Sequence, residues 1–94
     1  MITWQSRLLA QLARYRRYPI EARRLHQQGT ASVRIIIGGR GNVISARIEH
    51  SAGVPSLDAE ALALIDRAQP LPPPPDATAQ TTIELVVPLR FQLR

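Results

Sequence analysis

Few side chains in this 94-residue chain can do acid–base or metal chemistry: His26, His50 and seven carboxylates. There is no cysteine, which excludes a disulfide framework and any thiolate metal site. The histidines lie far apart, and a zinc site would need carboxylates at unusual spacing to complete it. His50 precedes Ser51, but neighbouring residues in a strand point to opposite faces, which disfavours a nucleophile–base pair. No serine has a Gly-x-Ser-x-Gly setting. Gly38-Gly39-Arg40-Gly41 lacks the Lys-Ser/Thr and the following helix of a phosphate-binding P-loop, and reads as a turn. Asp58, Glu60 and Asp66 share one predicted helix, with no second carboxylate set opposite by any motif. The chain reads as a non-enzyme with no cofactor and no metal.

The remaining chemistry is cationic. All twelve basic residues are arginine. Residues 1–28 hold six of them (Arg7, Arg14, Arg16, Arg17, Arg23, Arg24) against one acid, Glu21, and residues 29–94 balance six against six. The whole excess of +5 therefore lies in the first 28 residues. Such a patch suits nucleic acid, an anionic lipid surface or an acidic peptide, and equally a solvated helix face.

Apolar residues at 45% and charged residues at 20% fit a folded domain rather than a disordered chain. The length fits one domain, 1–94. No apolar run reaches the ~18 residues of a membrane span, and no signal peptide is visible at Met1-Ile2-Thr3-Trp4-Gln5.

Hydrophobic spacing supplies the elements. Trp4, Leu8, Leu12 and Tyr15 form one stripe of a helix over 3–17, widened by Leu9. Pro19 breaks it and suits the start of a second helix, Ile20–Gln28, with Gly29 as its stop. Together these form an Arg-rich helical lead-in, 1–28. Ala31, Val33, Ile35 and Ile37 alternate along a strand over 30–37. A Gly-rich hairpin, Gly38–Asn42, leads to a strand over 43–50 with Ile44, Ala46 and Ile48 inward. Ser56 is placed to cap a helix whose buried stripe is Leu57, Ala61, Leu64, Ile65 and Ala68. Five prolines in 70–75 make a stiff extended connector. Residues 81–93 form the longest alternation, with Ile83, Leu85, Val87, Leu89, Phe91 and Leu93 on one face. The predicted fold class is α+β, in the order α-α-β-β-α-β: a three-stranded antiparallel sheet with helices packed on one face, and strand 3 beside strand 1.

Pro88 is the informative residue of the last strand. Proline has no N–H to give a ladder, so it belongs on an edge or a bulge. Backbone groups point to alternate sides along a strand. If Pro88 faces the open side, Glu84, Val86 and Arg90 face it too, while Val87 and Leu89 bond the inner neighbour. That leaves a long free edge, a platform for strand addition by a peptide.

With these segments placed, the sequence resembles the C-terminal domain of TonB-type energy transducers over essentially its whole length. The resemblance rests on Tyr18-Pro19 and the spacing from Ala22 to Gly29. It continues with Gly38-Gly39-Arg40-Gly41-Asn42-Val43, where members usually have Asp-x-x-Gly-x-Val, and with Ser51-Ala52-Gly53-Val54-Pro55-Ser56-Leu57-Asp58-x-x-Ala61-Leu62. Pro70-Leu71-Pro72-Pro73-Pro74-Pro75 and Val87-Pro88-Leu89-Arg90-Phe91 complete it. The better-known members carry Gln-Pro-Gln before Tyr-Pro, where this chain has Tyr15-Arg16-Arg17, so contacts of those glutamines do not transfer.

The resemblance implies a non-catalytic periplasmic domain of a protein tethered to the inner membrane. It would grip the TonB box of a TonB-dependent outer-membrane receptor for siderophores, haem or vitamins. ExbB and ExbD would supply proton-gradient energy through an N-terminal anchor and spacer that this sequence lacks, so an excised domain with Met1 an introduced start is expected. The implied peptide-binding positions are Tyr15, Arg16, Arg17, Tyr18 and Pro19, with the edge strand at Ile83, Glu84, Leu85, Val86, Val87, Pro88 and Arg90. A bond from Arg16 or Arg17 to an acidic residue of the box would fix register. Other readings are a TolA-like envelope-tethering domain, a homodimer paired through the free edge, and a small nucleic-acid-binding domain using the arginines. The last would show affinity falling steeply with salt. Four aromatics, two of them in the helical stripe, offer no stacking platform, so nucleic acid is not the expected partner.

Overall fold

The alternation of small and β-branched residues after Gly29 makes the central strand. In the computed structural model, which describes residues 3–93, β1 (Gly29–Gly38) buries Ala31, Val33, Ile35 and Ile37 completely. A tight loop returns the chain as β2 (Val43–His50), and β3 (Thr82–Phe91) lies on the other side of β1. The sheet is antiparallel throughout, in the order β2-β1-β3. Strand 3 thus sits beside strand 1, as expected.

Three helices cover one face. They are α1 (Trp4–Tyr15), α2 (Ile20–Arg24) and α3 (Pro55–Arg67). All five residues of the predicted α3 stripe are buried: Leu57, Ala61, Leu64 and Ile65, with Ala68 just past the helix. They join Leu8 and Leu12 of α1, Ala22 of α2 and the inner faces of β1 and β3 in one apolar cluster. Burial of each large aliphatic there is worth about 1.5–3 kcal/mol.

The helix ends differ from the sequence reading. α1 stops at Tyr15, so Tyr15 leaves the buried stripe and is 44% exposed. A capping box of Thr3 and Ser6 starts it. α2 stops at Arg24, well short of Gln28. His26 takes the left-handed conformation at φ 53°, and the Gln27 N–H reaches back to the Ala22 carbonyl at 2.8 Å. This is the stop expected of Gly29. Gly29 instead opens β1, where an added Cβ would stand 2.6 Å from the Ala52 carbonyl. α3 begins with Pro55 in its first turn and Val54 as the cap residue, with no side-chain cap bond, so Ser56 does not cap it. Asp58 closes the preceding loop instead, accepting from the Ser51 hydroxyl and from the Ala52 N–H at 2.8 Å.

β2 also departs from simple alternation. Its pairing with β1 slips between Ile36 and Ile37, so Val43 rather than Ile44 faces Ile37. Ile44 turns out to 55% exposure, whereas Ala46 and Ile48 stay on the expected face, opposite Ile35 and Val33, with Ile48 half-buried against the core and Ala46 exposed. A bulge shifts the alternation between its two sides, here between Val43 and Ala46, which no two-residue period can signal.

The proline connector is a packed element. Leu71 is buried, and its N–H donates to the Gly41 carbonyl at 2.8 Å. Trp4 Nε1 donates to the Pro72 carbonyl at 2.8 Å, and Gln11 Nε2 to the carbonyls of Ala68 and Pro70 at 2.6 and 2.7 Å. The amino-terminal helix thereby clasps the connector that leads into β3.

Candidate peptide-binding edge

A three-stranded sheet has two edges, and they differ. β2 pairs with β1 through two register shifts, and the Val43 N–H is taken by Gln69 Oε1 at 2.7 Å. Bulges twist an edge away from further pairing. β3 pairs with β1 through ten consecutive residues, Gly29↔Phe91 to Gly38↔Thr82, without a shift. It is the regular edge.

The parity of β3 follows from two residues. The ladder runs unbroken through Ser32↔Pro88, and Pro88 has no N–H, so its backbone faces away from β1. The Arg90 carbonyl, of the same parity, accepts from Arg16 Nη1 at 2.6 Å. Thr82, Glu84, Val86, Pro88 and Arg90 therefore turn their backbone groups to the open side. Ile83, Leu85, Val87 and Leu89 bond inward. Val87 is buried and Ile83 and Leu85 are half-buried, so these site candidates form the floor of the edge rather than its contact surface. Val86 is 42% exposed, and Pro88 and Arg90 are exposed. Pro88, Leu89 and Arg90 line a groove shared with Leu9 and Ala13 of α1 and with Arg16 just past it.

On the uncovered face, Arg34 of β1 ties the three strands together. Its Nε and Nη2 reach Glu49 of β2 at 2.8 Å, and its Nη1 reaches Glu84 of β3 at 2.9 Å. These bonds raise the Arg34 guanidinium above its ordinary value and hold the Glu49 carboxyl below its own, with the Arg34 hydrogen bond as the main cause. Glu84 is thus already paired.

The segment Tyr15-Arg16-Arg17-Tyr18-Pro19 lies beside the C-terminal end of β3. The Tyr18 ring stands edge-on to Phe91 at 5.8 Å, and its hydroxyl donates to the Gln27 carbonyl. Pro19 is half-buried, and Tyr15, Arg16 and Arg17 are exposed. Arg16 and Tyr18 thus reach β3. The Arg17 N–H turns the other way, to Glu60 Oε2 of α3 at 2.9 Å. Arg67 pairs with Glu60 and donates to the Tyr15 carbonyl at 2.8 Å. Glu60 and Arg67 are seven residues apart on one helix face, a spacing the sequence shows but gives no reason to single out. Arg23 and His26 line a hollow with Tyr18, Gln92 and Leu93, close to the same strand end. They too were not among the expected site residues. The described residues contain no group of three or more histidines and carboxylates placed to hold a metal, and no helix long and apolar enough to cross a membrane.

Comparisons with known proteins bear on the family and the fold. The profile of the Gram-negative bacterial TonB protein C-terminal family matches residues 14–93. Protein TonB of Pseudomonas putida is 39% identical over 92 residues, covering 97% of this chain and 38% of that protein. Protein TonB of Pasteurella multocida is 31% identical over 90 residues, covering 96% and 34%. The chain thus spans little more than a third of these relatives. Among solved structures, the TonB C-terminal domain of Helicobacter pylori superposes with a TM-score of 0.82 at 24% identity, covering 97% of this chain and 81% of that one. At that identity the likeness speaks for the fold. The HasB C-terminal domain gives a TM-score of 0.63 at 46% identity, covering 99% and 72%. The chain belongs to the Gram-negative bacterial TonB protein C-terminal family.

Proposed function

We propose that this domain is the non-catalytic, periplasmic coupling end of an energy transducer. It takes the TonB box of an outer-membrane receptor as an added strand along the free edge of β3. The rest of the protein, with ExbB and ExbD at the inner membrane, supplies the energy for uptake of a siderophore, haem or vitamin.

The observation that carries this reading is the contrast between the two edges: ten regular pairs on β3 against two slips on β2. A peptide added to β3 meets main-chain donors and acceptors at Thr82, Glu84 and Val86. Main-chain bonds give affinity, and alternate side chains give selectivity. A few such bonds barely exceed the cost of ordering a free peptide, so affinity in the millimolar to micromolar range is expected. Family membership and the HasB neighbour support a transducing role over the nucleic-acid reading.

Val86→Pro tests it. The Val86 N–H faces outward, so proline there leaves the ladder to β1 intact while deleting a donor from the edge. Calorimetry with a synthetic TonB-box peptide should show affinity reduced about tenfold, the equivalent of one lost bond. Circular dichroism should be unchanged. Unchanged affinity would move the peptide off this edge.

A further inference from the structure

The C-terminal end of the β3 edge is already occupied. Arg16 leaves the last turn of α1 in an extended conformation, with ψ 135°, and its guanidinium crosses to the Arg90 carbonyl. That carbonyl is the last outward-facing acceptor of the strand. The Arg16 nitrogen stands where the amide of an added strand would stand.

The backbone on both sides of Arg16 is held from α3. The carbonyl of Tyr15 accepts from Arg67 Nη2, and the N–H of Arg17 donates to Glu60. The two holding side chains are well shielded, 24% exposed for Arg67 and 10% for Glu60. A lone exposed arginine loses much of a hydrogen bond's worth to side-chain entropy. Here the chain that carries it is fixed before it reaches out. Its bond is also charge-assisted, so an incoming neutral amide replaces it at a disadvantage.

Pro88 weakens the same stretch, because it offers an acceptor and no donor. Thr82, Glu84 and Val86 offer both groups, Pro88 half, and Arg90 only its N–H while Arg16 is in place. We propose that Arg16 is a register stop: it ends the usable edge at Pro88, and Glu60 and Arg67 are the positioning residues that hold it there. This rests on the edge-binding reading above and adds which stretch of β3 a peptide covers. The partner is an extended peptide whose pairing ends before Arg90.

Hydrogen exchange of single amides tests the stop. The probe is a synthetic TonB-box peptide of about ten residues, long enough to run the length of β3 at ~3.3 Å per residue. In the wild-type chain the peptide should slow exchange at Glu84 and Val86 by about tenfold or more and leave Arg90 unchanged. In Arg16→Ala the slowing should extend to Arg90, and Arg16→Lys, which restores a donor, should again withhold it. Arg16 is exposed, so melting curves of the free variants should overlay the wild type. Protection of Arg90 equal to that of Val86 in the wild type would overturn the stop and leave the edge reading standing. So would an Arg90 amide still unprotected in Arg16→Ala. No protection at Glu84 or Val86 in any of the proteins would overturn the edge reading, and the stop with it.

Discussion

The single residues that define the proposed site do so through their backbones. Pro88 and Arg90 fix which way β3 faces, and Arg16 shows which groups are in reach. Pro88 was legible because a missing N–H is a property of residue type alone. Arg16 was marked in the sequence for a bond to an acidic peptide residue, yet it spends a donor on a carbonyl 74 residues away. No local pattern encodes such a partner. Arg34 falls between the inward Val33 and Ile35, so alternation places it on the outer face of its strand and says nothing more. Its two carboxylate partners lie on both neighbouring strands, so the cluster exists only once register is set. Because Glu49 is held below its ordinary value, the pairing stabilises the fold above the ordinary glutamate range. That contribution is lost as pH falls through the lowered folded-state value. Glu49→Gln should therefore flatten the acid side of the stability curve. Urea midpoints at about pH 7 and about pH 3 should differ less in the variant than in the wild type.

At the scale of elements, β1, α3 and β3 followed from periodicity, because their burial is one-sided and uninterrupted. The end of α2 and the outward turn of Ile44 in β2 did not. The first depends on His26 adopting a conformation usually left to glycine. The second depends on a bulge at Ile44. The proline connector was expected to be stiff, and its stiffness has a use, since it lies between the hairpin loop and α1. Gly41 is the contact point. It has φ 87°, and a Cβ there would stand 1.9 Å from the Leu71 carbonyl. Gly41→Ala should destabilise the domain by roughly 2–4 kcal/mol through backbone strain and a displaced connector. Chemical denaturation would measure it. A cost under about 0.5 kcal/mol, the range of a neutral surface change, would mean the hairpin and connector are not packed together as described.

For the whole molecule, the layers divide the work. Helices cover one face and bury the core. The Arg34 cluster ties the strands on the other face, and a regular edge stays free along most of β3. Of the charge excess of the first 28 residues, Arg16 lies beside Arg90, and Arg23 lies beside Gln92 and Leu93 just past the C-terminal end of that strand. This gives the lead-in a place beside the proposed peptide edge, which composition could not do. The most direct measurement of the central claim is an amide NMR titration of the labelled domain with a synthetic TonB-box peptide. Shifts should cluster on 82–88, with a second group at 15–19 where the added strand abuts Arg16. Shifts confined to 43–50 on the opposite edge, or none at millimolar peptide, would contradict it.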